Sequence, residues 1–188
     1  NKYTYQNLAI KGKINNGSFN VTAQAKDPNL TFDLISSGGF KNKYPTGKLK
    51  LNVDIADLEK LNLHAGPLKL RGVVEADIQS VDLDYLNGKM TAHTLFVTNE
   101  KGEFAVDSIT IAASTTSEKS ALALESPFLD ATLNGKYKLS QLPTALSNTI
   151  SKYYNWNPTS KKGKATNNYF DFKLNLKDNP VVTQLIPD

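Results

Sequence analysis

The chain has 188 residues, 39% of them hydrophobic, no cysteine and a formal net charge of +4. That composition suits one domain or a segment of a larger repetitive protein, and it excludes disulfides, cysteine-based zinc sites and thiol chemistry. No apolar run approaches the ~20 residues a membrane-crossing helix needs, and the basic residues are too scattered to expect a nucleic-acid partner.

Period-two alternation runs through the chain and predicts a succession of β-strands, because it places every second side chain on one face. Leu8, Ile10 and Ile14 alternate with Lys11 and Lys13. Phe19, Val21, Ala23 and Ala25 follow, then Leu30, Phe32 and Leu34. Beyond the SSGGF and YPTG turns, Leu49, Leu51, Val53 and Ile55 alternate with Lys50, Asn52 and Asp54, and Leu61 and Leu63 read as a further short strand. LKLRGVVEADIQ then sets Leu68, Leu70, Val74, Ala76 and Ile78 against mostly polar neighbours.

YLNGKMTAHTLFV and EFAVDSITIAAS are strand-like with less tidy faces, and SALALES is a short strand. Leu129, Ala131, Leu133 and Tyr137 alternate with Asp130, Thr132, Asn134 and Lys136; Phe170, Phe172, Leu174 and Leu176 close the series. About ten strands at these short intervals predict an antiparallel all-β architecture.

Two segments depart from period two. Leu142, Leu146, Ile150 and Tyr153 recur at helical spacing, with Ser140 as N-cap and Pro143 in the first turn, which predicts a short amphipathic helix from about Gln141 to Tyr154. NPTSKKGKATNN, with Lys161, Lys162 and Lys164, carries no aromatic of the kind a nucleic-acid groove interleaves, and residues 157–168 read as a polar loop. From Asn179, with Pro180 at the first helical position, residues 179–188 read as the start of a second, truncated helix. LNGK occurs at Leu86–Lys89 and again at Leu133–Lys136, a hint of internal repetition.

Catalysis requires a constellation that the sequence does not offer. His64 and His93 fall in predicted strands on the polar side, without an acidic or histidine cluster at ligand spacing, so no metal is expected. Asp82 and Asp84 suit a turn better than a calcium site, which needs six or more oxygens. Asp54, Asp57 and Glu59 read as solvated carboxylates between strands. No G-x-S-x-G, P-loop or dinucleotide fingerprint is present. The expectation is a non-enzymatic protein without a cofactor. The sequons at Asn16, Asn20 and Asn29 arise readily in an Asn-rich strand region.

Three stretches, LDYLNGKMTAHTLFVTNEKGEFAVDSITIAAS, LALESPFLDATLNGKYKLSQLPTAL and FDFKLNLKDNPVVTQLIPD, carry a specific likeness. In their order and their SPFL, LPTAL and NPVVTQL punctuation, they resemble the repetitive midsection of TamB proteins of the AsmA-like family, in the Bacteroidetes form. The likeness covers roughly Leu49 to Asp188.

It implies that residues 1–188 form one segment of a longer periplasmic protein, anchored in the inner membrane by a segment outside this chain. It also implies a curled, taco-like open trough that gives phospholipid acyl chains an apolar path between the membranes, and an outer-membrane β-barrel protein as partner of the full-length chain. Under that reading Leu49, Leu51, Val53, Leu68, Leu70, Val74, Ile78, Leu129, Leu133, Phe170, Phe172 and Leu174 form the inner wall and contact lipid.

Alternation alone is equally satisfied by a closed β-sandwich in which the same faces bury one another. In that case the chain would be a secreted module binding protein or glycan through Tyr44, Tyr85 or Trp156; a trough too narrow for an acyl chain would instead make it a structural spacer between the membranes.

Overall fold

The computed structural model describes residues 3–143 and 169–185. Ten strands follow one another: β1 (Leu8–Asn15), β2 (Ser18–Asp27), β3 (Leu30–Gly39), β4 (Thr46–Asp57), β5 (Lys69–Ser80), β6 (Asn87–Asn99), β7 (Gly102–Thr115), β8 (Ser120–Glu125), β9 (Leu129–Lys136) and β10 (Tyr169–Leu176). Each pairs antiparallel with the next, in sequence order from β1 to β10, and β1 does not meet β10. Among the described residues the sheet is single, antiparallel and open; alternation predicts the antiparallel strands, the family likeness implies the open form, and the closed sandwich that alternation equally allowed is not what forms.

Turn chemistry sets the hairpins. Asn16 and Gly17 both take positive φ between β1 and β2, the backbone that a two-residue hairpin requires and that Asn-Gly supplies. Asn179 caps the closing helix α1 (Pro180–Leu185): its side-chain oxygen accepts from the Val181 amide at 2.9 Å. This is the predicted helix start at Pro180. The predicted helix from Gln141 to Tyr154 lies outside the described residues except at its beginning, where a 3-10 turn covers Leu139–Gln141. The polar loop 157–168 and Trp156 also lie outside them.

The connections at one end of the sheet are 28–29, 58–68, 100–101 and 126–128, and the longest of them forms a cap. Leu61 and Leu63 are not in a strand. Residues 58–68 form a compact turn, with Leu58 N–H donating to the Leu68 carbonyl (2.8 Å) and Leu61 N–H to that of Asp57 (2.9 Å). Leu61 is thereby brought to 2% exposure. His64, expected in a strand, sits in this turn beside the Gly66 carbonyl.

Asp57, expected to be solvated, is buried. Its carboxylate accepts from the Lys60 amide at 3.1 Å and faces Lys69 at 3.5 Å, which offsets the cost of desolvating it. Asp27 occupies the equivalent place at the end of β2, also buried, and accepts from the Tyr3 hydroxyl and the amides of Gln6 and Asn29. Ala25, Ala56, Val97 and Val106 complete the buried set at this end.

The untidy faces of β6 and β7 have a defined origin. Ala92 pairs with Val74 and Ile109, while Val97 pairs with Leu70 and Phe104, so both strands change side-chain parity between these points. In β6 the slip falls at Thr94, which takes φ 52, an uncommon and strained value for a β-branched residue. In β7, Asp107 and Ser108 are both exposed at the slip. β4 carries a bulge of its own between Val53 and Ala56. After it Ala56, not the expected Ile55, lines up with Leu30 and Leu70.

Candidate functional site

Because directly paired residues point to the same side of a sheet, the strand register defines continuous rows of side chains. One row runs Val21, Ser36, Leu49, Ala76, Met90, Ile111, Leu124, Ala131 and Leu174 from β2 to β10. The next runs Phe19, Gly38, Gly47, Ile78, Gly88, Ala113, Leu122, Leu133 and Phe172. A third runs Ala23, Leu34, Leu51, Val74, Ala92 and Ile109. Ser36 is the single polar side chain in these three rows. Eight spacings of ~4.8 Å make this an apolar wall about 38 Å across the strands.

Eleven of the twelve residues expected on the inner wall lie within strands. Leu49, Leu51 and Val53 project from β4, and Leu70, Val74 and Ile78 from β5. Leu129 and Leu133 lie on β9, and Phe170, Phe172 and Leu174 on β10, where Phe172 pairs with Leu133 and Leu174 with Ala131. Leu68 sits one residue before β5, at the edge of the cap. None of the twelve is fully buried, and Leu70, Phe172 and Leu174 are exposed. A second sheet packed on this face would have buried them.

The sequence marked Phe19, Val21, Leu34, Met90, Ile109, Ile111, Leu122 and Leu124 as strand residues without assigning them to the wall. Their parity was visible, but which neighbours they would meet depended on the pairing order.

The wall forms a pocket over β8–β10. There Leu122, Leu124, Ala131, Leu133, Phe170 and Phe172 line an apolar pocket of about 220 Å³. Leu142, the one described residue of the predicted helical stripe, closes one side of it. Tyr137 is buried nearby, with its ring edge-on to Phe170 at 6.1 Å and its hydroxyl donating to the Leu133 carbonyl. Burial holds the Tyr137 hydroxyl above the ordinary phenol value.

The opposite face is polar. Its corresponding row reads Thr22, Ile35, Lys50, Glu75, Thr91, Thr110, Glu125, Asp130 and Asn175. Cross-strand ion pairs join Lys50 to Glu75 (2.8 Å) and Lys48 to Asp77 (2.9 Å), and His93 stands 3.7 Å from Glu75. The Lys50 hydrogen bond holds the Glu75 carboxyl below its ordinary value. A hollow of about 400 Å³ on this side is lined by Ile35 and by the charged groups of Lys48, Lys50, Glu75, Asp77 and Lys89.

At the end opposite the cap, Asp82 caps a 3-10 turn (Leu83–Tyr85), so the pair Asp82 and Asp84 does form a turn. Asp84 also accepts from the Ser140 amide (3.0 Å) and hydroxyl (2.9 Å), tying residues 81–86 to 137–142. Tyr44 and Tyr85 stack on each other at 4.8 Å, so each covers a ring face of the other.

Among the described residues no three acidic or histidine side chains converge as a metal site, and no helix is long and apolar enough to cross a membrane. Comparison with protein-family models, with curated proteins and with solved structures finds no match. Chemically, the wall can remove hydrocarbon from water, and the two faces of the sheet differ in polarity.

Proposed function

We propose that this chain is a section of an AsmA-like, TamB-related bridge protein of the bacterial periplasm, whose apolar wall carries phospholipid acyl chains between the inner and outer membranes. The observation that supports this most directly is the apolar face of an open ten-stranded sheet, whose three rows carry one polar side chain, Ser36. Soluble monomers rarely leave more than a few hundred Å² of contiguous apolar surface uncovered. An acyl chain laid on such a wall gains ~0.8 kcal/mol for each methylene it removes from water, while head groups remain in solvent at the margin.

The family likeness supplies the rest of the reading. The membrane anchor lies in a segment outside this chain, the full-length protein meets an outer-membrane β-barrel, and function resides in a surface and not in a reaction.

Photo-crosslinking in cells tests it. A crosslinking residue at Val74 or Leu133, both on the wall, is expected to capture phospholipid in folded protein, whereas one at Glu75 on the polar face captures none. Absence of lipid adducts at both wall positions, or equal capture at Glu75, overturns the reading. Native mass spectrometry of the purified chain is expected to show co-purified phospholipid.

A further inference from the structure

The apolar pocket over β8–β10 has a polar neighbour. At the end of the sheet opposite the cap, the β7–β8 connection (116–119), the last residues of β9 and the chain just after it surround a hollow of about 180 Å³. Lys119, Lys136 and Lys138 line it, and Ser117 and Gln141 add neutral hydrogen-bonding groups. Two carboxylates, those of Asp84 and Glu118, also reach it. Asp84 is already engaged, because one of its oxygens accepts from the Ser140 amide and the other from the Ser140 hydroxyl. Lys119 and Lys136 form no ion pair among the described residues. Cationic groups thus outnumber anionic ones in this hollow, and two of its ammoniums have no counter-ion there.

The hollow and the pocket follow one another along the same strands. β8 begins at the hollow with Ser120 and continues into the pocket with Leu122 and Leu124; two residues of a strand span ~7 Å. β9 gives Leu133 to the pocket and Lys136 to the hollow. Tyr137 touches both: it lines the hollow, while its buried ring sits edge-on to Phe170, which lines the pocket. The Ser120 hydroxyl donates to the Tyr137 carbonyl at 3.1 Å and fixes that junction. Neither space alone reaches the ~300–1,000 Å³ of a typical small-ligand site, and the two side by side do.

An apolar floor that gives way to unpaired ammoniums along one strand direction is complementary to an amphiphile with a hydrocarbon tail and an anionic head. A phosphate ester suits the head best, because its several charged oxygens can each accept from a different ammonium. We infer that the hollow at Lys119 and Lys136 is a head-group site, taking the phosphate of a lipid whose tail occupies the apolar pocket over β8–β10. The inference rests on the reading of the wall as a lipid path and adds an orientation to it, with the head toward residues 116–119 and the tail toward the capped end.

Isothermal titration calorimetry of the whole chain tests it with three probes: lysophosphatidate, the monoacylglycerol of the same acyl chain, and inorganic phosphate, the amphiphiles below their critical micelle concentrations. Lysophosphatidate is expected to bind about tenfold or more tighter than the monoacylglycerol, and inorganic phosphate more weakly than either. Lys119→Gln and Lys136→Gln, each folded by circular dichroism, are expected to weaken lysophosphatidate binding several-fold and to leave monoacylglycerol binding unchanged. Lys60→Gln, at the capped end, is expected to alter neither, and Leu122→Asn to weaken both amphiphiles alike.

Equal affinity for the two amphiphiles, or lysine variants that behave as Lys60→Gln does, overturns the head-group site and leaves the acyl-binding wall standing. Inorganic phosphate bound as tightly as lysophosphatidate marks a free-anion site and overturns it too, as does undiminished lysophosphatidate affinity in Leu122→Asn. Failure of both amphiphiles to bind removes the lipid reading of the wall together with the site.

Discussion

The capped corner of the sheet and the wall over β8–β10 start from the same alternation and end in different states. At the corner, β2, β4, β6 and β7 bury Ala25, Ala56, Val97 and Val106, and the turn of residues 58–68 at the same end buries Leu61. Over β8–β10, Leu122, Leu124, Leu133 and Phe172 are as apolar, yet they stay half-covered around a pocket. Apolar periodicity makes a face. A second piece of chain folding over it makes a core. The distinction matters for stability: the corner carries the tightly packed contacts, and the wall supplies surface that folding does not consume.

The sharpest way to break this contrast is charge insertion on each side. Leu61→Asp places an unpaired carboxylate in the cap and is expected to cost ~3 kcal/mol or more, whereas Leu174→Asp, on the open wall, is expected to change stability by no more than ~0.5 kcal/mol. Urea unfolding measures both, and equal losses would mean that the wall is covered core after all.

Backbone approach gives a smaller difference. The glycines of the two LNGK stretches, Gly88 and Gly135, have φ of +150 and +157. A Cβ at Gly135 would lie 2.1 Å from the Tyr169 carbonyl oxygen. Gly135→Ala is therefore expected to destabilise by ~1–3 kcal/mol. Gly12→Ala, where a Cβ would meet only the Val21 side chain at 3.7 Å, is expected to be neutral within ~0.5 kcal/mol. Thermal unfolding of the pair separates strained from ordinary strand glycines.

The smallest effect lies in the pH dependence of the corner. The Tyr3 hydroxyl, then the Asn29 and Gln6 amides, hold the Asp27 carboxyl below its ordinary value of 3.8. A depressed folded-state pKa contributes stability that is present above 3.8 and lost as pH falls through the lower folded value. Asp27→Asn is expected to flatten the acid limb of a stability–pH curve below about pH 4 and to leave the curve's shape near neutrality unchanged. An unaltered acid limb would show that Asp27 is not held in this way.

Much of this fold was legible in residue order, for a physical reason: with one face apolar and the other charged, a strand cannot slip by one residue without exposing the wrong set. Hence Leu49, Leu51, Val74, Ile78, Leu133 and Phe172 could be assigned to one side before any pairing was known. The cap was not legible, because Leu61 and Leu63 alternate just as a strand does, and only the hydrogen bonds of residues 58–68 reveal a turn. Nor was the burial of Asp57 and Asp27, which depends on amides and side chains brought from other strands. Ile55 was misread because a bulge adds a residue without leaving a mark in hydropathy.

The parity slip at Thr94 resembles a dislocation in a crystal lattice. It enters at the β5–β6 boundary, crosses β6 and β7 together with no register shift between them, and ends because β8 stops at Glu125, opposite Thr110, before reaching the fault line. Between two strands that keep their register, as β6 and β7 do, a defect of this type cannot stop at one strand without turning the other's apolar set to the polar side. A one-residue insertion or deletion in β6 near Thr94 would therefore be tolerated only with a matching change in β7 near Asp107, so the two strands should change length together or not at all.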